Sequence, residues 1–181
     1  MKSYTVTANG IRQFVVEEGE GAPVILLHGF PETNYAWRYQ IPVLSRHYRV
    51  IAPDLRGYGE TDKPASGYDK RNMARDIREL MRALGLQKVV LVGHDRGARV
   101  ATRFAKDYPE LVDRLVVMDN VPTRIVARDL NASIARAYWF FLFSSCARPA
   151  GSADCRPREF LAAPFFLGLD LRSVYHQRRG V

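Results

Sequence analysis

The residues Val89-Val-Leu-Val-Gly-His-Asp-Arg-Gly97 decide how this chain is interpreted. Their four apolar residues are typical of a strand buried on both faces, and Gly97–Tyr108 has helical spacing. Gly93 and Gly97 permit a tight strand-to-helix turn with Asp95 at its tip. The helix N-terminus favours a carboxylate there, and an ionised Asp needs no base to attack carbon. The segment predicts Asp95 as a nucleophile; the alternative is a structural turn with a capping Asp.

The rest of the chain repeats this alternation of strands and helices. Short apolar runs predict further buried strands at Val24–Leu27, Tyr48–Ala52 and Leu115–Met118. Asp69–Leu84 has helical spacing and is followed by Gly85 as a stop. Asn9-Gly10, between two strand-like runs, predicts a β-hairpin because both residues tolerate positive φ. The pattern predicts an α/β fold, a mostly parallel sheet with helices on both faces.

A second strand end can serve the same site, because reactive groups collect where parallel strands end. His28-Gly29-Phe30 follows the run that begins at Val24. The N–H groups of Phe30 and Arg96 are therefore predicted to form an oxyanion hole. His28 itself is interpreted as a structural residue, and so is His94.

Asp119 marks a third strand end, directly after Met118. A carboxylate at a buried strand end is costly unless it has a partner, and the functional partner would be a histidine. Asp119 is therefore a candidate catalytic residue. The alternative is a cap for the turn Asp119–Pro122.

As a set, five segments resemble the branch of the α/β-hydrolases that holds haloalkane dehalogenases, epoxide hydrolases and fluoroacetate dehalogenases. These segments are His28–Pro31, Pro53–Gly59, Lys63-Pro64, Val92–Gly97 and Asp119–Thr123. The resemblance spans roughly residues 24 to 143 and implies the α/β-hydrolase fold. It also implies that Asp119 orients a catalytic histidine.

Two arginines point to one member of this branch. Epoxide hydrolases usually place Trp after the nucleophile, whereas Asp95-Arg-Gly-Ala-Arg99 resembles the fluoroacetate dehalogenases, in which two arginines hold the substrate carboxylate. Positions i and i+3 share a helix face, and guanidinium groups bind carboxylates through paired hydrogen bonds. Arg96 and Arg99 are therefore expected to bind a small anionic substrate. The alternative for Arg99 is an exposed salt bridge.

The resemblance implies hydrolysis of a carbon–halogen bond in a small haloacid. Asp95 displaces the halide and forms an ester, which water activated by a histidine then hydrolyses. An epoxide hydrolase is the alternative among enzymes, with Tyr138 as a candidate proton donor. The family's histidine comes from a loop well beyond residue 181, and His176 has no strand before it. A truncated, non-catalytic remnant that still binds carboxylates is thus the alternative of another class.

The chain departs from the resemblance after the predicted core, residues 1–124. Residues 125–181 are expected to form a partial helical cap with an irregular tail. The His-Trp pair of fluoroacetate dehalogenases is absent there, so Tyr138 and Trp139 are the candidates for binding halide; cap packing is the alternative. Ser144–Arg158 contains no large apolar residue. We therefore expect an altered or truncated sequence after about residue 143, with a disordered linker as the alternative.

Composition restricts the partners. The chain has 27 Lys and Arg against 19 Asp and Glu, a net charge of +8, but the basic residues form no run of five or more and no nucleic-acid-binding motif. No stretch approaches the ~18 apolar residues of a membrane span. Neither nucleic acid nor membrane is therefore an expected partner.

The two cysteines lack metal-binding spacing, and neither a metal nor a cofactor is expected. With no signal-peptide pattern, we expect a cytoplasmic protein, and a homodimer is one expected assembly.

Overall fold

A computed structural model describes residues 1–121 together with Ile125 and Arg128. The strands in this part are β1 (Lys2–Ala8), β2 (Ile11–Glu18), β3 (Ala22–Leu27), β4 (Tyr48–Pro53), β5 (Val89–His94) and β6 (Val112–Met118). The α-helices are α1 (Ile41–Leu44), α2 (Lys70–Ala83) and α3 (Arg96–Asp107), and short 3-10 helices lie at Asn34–Trp37 and Pro109–Leu111. Met1–Asn120 forms one compact unit.

The strands form one sheet in the order β1-β2-β4-β3-β5-β6. The four strands from β4 to β6 in this order are parallel, while β1 and β2 form an antiparallel hairpin whose second strand pairs antiparallel with β4. At the hairpin turn, Asn9 and Gly10 have φ of 49° and 73°, so the predicted hairpin is confirmed. In register, Leu27 pairs with Gly93 and His94 pairs with Met118. The loops that follow β3, β5 and β6 therefore leave the sheet at the same edge.

Both faces of the sheet are covered. On β3, Val24 and Leu26 pack in a buried cluster with Trp37 and Ile41. The intervening Ile25 points to the opposite face and is also fully buried. Helices α2 and α3 each bury one apolar stripe, with members Met73, Ile77, Leu80, Val100 and Phe104. Each such side chain contributes about 1.5–3 kcal/mol to stability when it is buried. The prediction of a mostly parallel sheet with helices on both faces is confirmed.

Buried ionic contacts fix the β1–β2 hairpin to the rest of the unit. Arg56 donates to the two carboxylate oxygens of Asp76 at 2.8 and 2.6 Å, and Asn9 donates to the same carboxylate at 2.6 Å. Arg49 on β4 donates to Glu17 on β2 at 2.9 Å. Because a buried charge is costly without its partner, these contacts specify how the hairpin sits against α2 and β4.

The structure adds elements that the sequence pattern did not predict. Thr33 caps the 3-10 helix at Asn34–Trp37, and Pro42 lies in the first turn of α1. Both helices are four residues long, which is too short for a helical period to appear in the sequence. β6 begins at Val112, three residues before the predicted start, and its residues are exposed or half-buried because it is the edge strand in the described part of the chain.

The predicted cap falls almost wholly outside the described residues, so the predicted boundary at residue 124 stays a prediction. The described part of the chain contains no helix with the length and apolarity that a bilayer span requires.

Candidate active site

Asp95 lies at the tip of the turn between β5 and α3. Its φ of 44° and ψ of −107° place it in a region that costs a non-glycine residue about 1–3 kcal/mol. Its N–H donates to the Met118 carbonyl at 3.1 Å, and its carbonyl accepts from the Arg99 N–H at 3.3 Å. Backbone hydrogen bonds on both sides therefore hold this strained residue, in the strand-to-helix turn that the sequence predicts.

The glycines beside Asp95 are required by close packing. A Cβ on Gly97 would lie 2.2 Å from the Leu27 carbonyl oxygen and 2.6 Å from that of His28. A Cβ on Gly93 would lie 2.6 Å from the Gly97 carbonyl oxygen. These neighbours are backbone atoms of paired strands and a helix, which cannot rotate away. Glycine at both positions therefore lets α3 begin directly against β3.

The loop after β3 brings a backbone donor to Asp95. The Phe30 N–H donates to Asp95 Oδ2 at 3.0 Å. Gly29 permits this approach, since a Cβ there would lie 2.9 Å from the Cβ of Asp95. Arg96, the first residue of α3, carries the second predicted donor on the same turn. The structure thus places one predicted oxyanion donor on the predicted nucleophile, and the other stays a prediction.

His28 is held by the backbone on both sides of its ring. Nδ1 donates to the Gly29 carbonyl at 2.8 Å, and Nε2 accepts from the Leu55 N–H at 3.0 Å. These partners assign the neutral tautomer. Burial lowers the pKa of His28, which favours the neutral form of its ring. A neutral ring that joins two loops agrees with the structural interpretation of His28.

Asp119 faces a histidine at the end of β6. Its Oδ2 lies 3.7 Å from His94 Nε2, while His94 Nδ1 lies 3.1 Å from Glu32 Oε2. The Asp119 side chain is 88 % exposed, so the expectation that it is buried is wrong for the described part of the chain, in which β6 is an edge strand. A cleft of about 170 Å³ adjoins this group, lined by Glu32, Ala36, Trp37, Gln40, His94 and Met118. Sequence reasoning gave Glu32 no role, because only the fold brings it to His94.

The first turn of α3 carries both predicted carboxylate-binding arginines. Arg96 is 4 % exposed, and Arg99 is half-buried. Lys70, the first residue of α2, adds a third basic side chain. Burial lowers its pKa well below the ordinary lysine value, and the positive charges of Arg96 and Arg99 lower it further. In the sequence Lys70 looks like any lysine near a helix start, so no local signal distinguishes it.

Tyr58 forms a further wall near the nucleophile. Its ring packs edge-on against His28 and Phe30, with centroids 5.0 and 6.4 Å apart. Burial raises the pKa of Tyr58 to about 12, and the charges of Arg96 and Asp95 also act on it. The phenol is therefore neutral at ordinary pH. Its place in Arg56-Gly-Tyr-Gly59, within one of the five family-like segments, was the available signal.

Other predicted positions lie outside the described residues. These are the candidate halide-binding residues Tyr138 and Trp139. His176, to which no catalytic role is assigned, lies outside the described residues as well. Among the described residues, no group of three or more His, Cys, Asp and Glu side chains is arranged to hold a metal ion.

Comparison with known proteins identifies several similar chains. A family model described as "alpha/beta hydrolase fold" matches residues 22–159. A soluble epoxide hydrolase of Corynebacterium sp. (strain C12) is 50 % identical over 121 residues, 67 % of this chain and 42 % of that protein. A fluoroacetate dehalogenase of Burkholderia sp. is 44 % identical over 130 residues, 69 % of this chain and 43 % of its own length. The solved structure of the epoxide hydrolase CorEH without ligand aligns with a TM-score of 0.71 at 39 % identity, covering 84 % of this chain and 53 % of the other. The chain thus spans less than half the length of these two curated relatives.

Proposed function

The chain belongs to the alpha/beta hydrolase fold family, and we propose that Asp95 attacks an electrophilic carbon of a small substrate and forms an ester with it. The observation that carries this proposal is the 3.0 Å hydrogen bond from the Phe30 N–H to Asp95 Oδ2. A carboxylate held by one oxygen keeps the other available for attack, and the same N–H can bind the oxyanion when the ester is hydrolysed.

For a haloacid, the proposed first step is a displacement. Asp95 forms a carbon–oxygen bond to the α-carbon while the carbon–halogen bond breaks, and the halide leaves with the bonding electrons. In the second step water adds to the ester carbonyl, the tetrahedral centre releases the hydroxy acid, and the carboxylate is regenerated. That water must lose a proton to a base. The proposed role of Asp119 is to orient a histidine for this purpose.

The cations beside Asp95 support a haloacid as the substrate. Arg96 and Arg99 share the first turn of α3, and Lys70 lies close enough for their charges to act on it. Bidentate guanidinium contacts can hold a carboxylate, and the positive charge reduces its repulsion from Asp95. A relative 44 % identical over the matched region is named as a fluoroacetate dehalogenase. The finer proposal is therefore a haloacetate-type dehalogenase.

An epoxide hydrolase is the second candidate, because the 50 % identical relative carries that name. Asp95 would then open the ring of a neutral epoxide, and the alkoxide would take a proton from a donor such as Tyr138. This substrate has no carboxylate, so its reaction does not depend on the arginine pair.

Intact-mass spectrometry of the whole chain separates these possibilities. The protein is incubated with fluoroacetate and, separately, with a small neutral epoxide, and the mass of a covalent adduct or the formation of product is followed. A glycolyl adduct, or steady release of fluoride, supports the dehalogenase; an adduct or diol only with the epoxide supports the second candidate. Asp95→Asn should form no adduct in either case.

Two arginine variants complete the experiment. Arg99→Met should slow alkylation by fluoroacetate at least about tenfold, the effect of one lost charge-assisted contact, and leave epoxide alkylation little changed. Arg103→Met is the matched control, since Arg103 lies one turn further along α3 and pairs with Asp107. If wild-type protein forms neither adduct nor product, the proposed chemistry is refuted.

A further inference from the structure

Lys70 begins the helix that lies beside the nucleophile-bearing helix. It is the first residue of α2, and Asp69 caps this helix by accepting from the Asn72 N–H at 2.9 Å. β4 and β5 flank β3 in parallel, and α2 and α3 follow them. Both helices therefore begin at the edge where the parallel strands end. Since α2 packs against α3, Lys70 is brought to the side of the site that holds Asp95.

The contacts of the Lys70 ammonium are weak and uncharged. Nζ donates to the Tyr68 carbonyl at 3.3 Å and lies 3.7 Å from the Met73 sulfur. Within the part of the chain that the structure describes, no carboxylate lies at ion-pair distance from Nζ. A carbonyl and a thioether are weak partners for a half-buried ammonium group, so these contacts compensate poorly for its loss of hydration.

Burial and the two neighbouring arginines disfavour the ammonium form of Lys70. Burial lowers the pKa of Lys70 well below its ordinary value, and the positive charges of Arg96 and Arg99 lower it further, whereas Asp69 and Asp95 act in the opposite direction. Cations are also disfavoured at the N-termini of helices, where all three of these basic residues lie. A negative ligand placed among them would reverse this balance.

We propose that Lys70 is a third cationic contact for the carboxylate of an anionic substrate, and that it takes up a proton when the anion binds. The inference rests on the proposed function, because it places that carboxylate beside Asp95 with Arg96 and Arg99. The proton comes from solvent and is gained by Nζ, and the ammonium group so formed donates to a carboxylate oxygen. No covalent bond of the anion changes.

Isothermal titration calorimetry with acetate tests this directly. Acetate has the carboxylate but no leaving group, and titration in two buffers with different heats of ionisation gives the number of protons taken up per anion bound. We expect wild-type protein to take up a fraction of a proton, approaching one as the pH rises towards the ordinary lysine range. Lys70→Met should show no uptake and bind acetate about tenfold more weakly.

Two further variants separate charge from proton exchange. Lys70→Arg should bind acetate without proton uptake, because arginine stays charged throughout this range. Lys106→Met, which removes an exposed lysine from the last turn of α3, should keep the wild-type uptake. Acetamide, a neutral isostere of acetate, should cause no uptake.

Several outcomes would overturn the assignment. They are proton uptake that persists in Lys70→Met, acetate binding by wild type without uptake, and the absence of acetate binding. The readout does not require the reaction at Asp95. If acetate binds with Lys70-dependent uptake while neither fluoroacetate nor an epoxide alkylates the protein, the proposed function fails and the Lys70 assignment stands.

Discussion

Replacing Gly97 with alanine tests whether close packing at the turn holds both the fold and the nucleophile in place. The new Cβ would lie 2.2 Å from the Leu27 carbonyl oxygen. That is about 1 Å inside normal contact distance, and Leu27 is fixed by its pairing with Gly93. Overpacking typically costs about 1–3 kcal/mol and occasionally more, and because only backbone atoms face the new Cβ, we expect a cost above that range, about 4 kcal/mol. The helix propensity of alanine is more favourable than that of glycine by about 1 kcal/mol, which offsets part of this cost. We expect a net loss of about 3 kcal/mol.

Gly85→Ala is the matched control for Gly97→Ala. Gly85 has a φ of 68°, and a Cβ added there would have no atom within 4 Å, so alanine meets only the left-handed backbone penalty of about 1–2 kcal/mol. Urea unfolding followed by circular dichroism gives both free energies. Alkylation of Asp95 should also fall in Gly97→Ala and stay at the wild-type rate in Gly85→Ala. A smaller loss of stability in Gly97→Ala than in the control would refute the packing argument.

Three further predictions concern stability measured by urea unfolding. Asp95→Gly should be more stable than Asp95→Ala by about 1 kcal/mol, because glycine adopts a φ of 44° without the strain that alanine meets there. Arg56→Met should cost about 3 kcal/mol, because it leaves the Asp76 carboxylate buried without its cationic partner and, among the described residues, with only the Asn9 amide still donating to it. Burial alone would raise the pKa of Glu17, but hydrogen bonds, first that from Arg49, lower it from 4.5 to about 2. The native state therefore binds fewer protons than the unfolded state between these values. The stability that Glu17 contributes, about 1 kcal/mol, should be present above pH 4.5 and lost as the pH falls towards 2.

Each of these predictions has a control. The first would be wrong if the alanine variant were as stable as the glycine variant. Adding Asp76→Leu to Arg56→Met should recover most of the loss, and a double variant no better than the single one would contradict the buried-charge argument. Glu17→Gln should flatten the acid dependence, and an unchanged pH profile would exclude Glu17 as its source.

The periodic parts of the fold could be predicted from the sequence because each one has a recognisable pattern within its own segment. The apolar run at Val89 and the helical spacing of Asp69–Leu84 persist over enough residues to show a period. The Asn9-Gly10 turn requires positive φ at both residues, and Asn-Gly is the residue pair that favours it. The segment Asn34–Leu44 shows no such period, because its two helices are one turn each. The strand order is not written in any local pattern, since it depends on which crossovers pack best.

A site residue could be predicted where its neighbours in the sequence have a specific backbone requirement. It could not be predicted where it is a common residue type in an ordinary local sequence. Asp95 stands between two glycines that only a tight turn explains, so its position followed from the pattern. Glu32 and Lys70 are common residue types in ordinary local sequence, and they join the site through contacts between distant segments. The exposure of Asp119 could not be predicted either, because it depends on the place of β6 at the edge of the sheet that the described residues form.

The donor that holds the Asp95 carboxylate is an amide of the main chain. Any residue except proline at position 30 supplies that N–H, so exchange of the Phe30 side chain alters the shape of the pocket and leaves the hydrogen bond intact. The groups that we propose select the substrate charge, by contrast, are single side chains, namely those of Arg99 and Lys70. On that proposal, substitutions at these two helix starts would change the substrate charge that is bound and leave the backbone hydrogen bond to Asp95 in place.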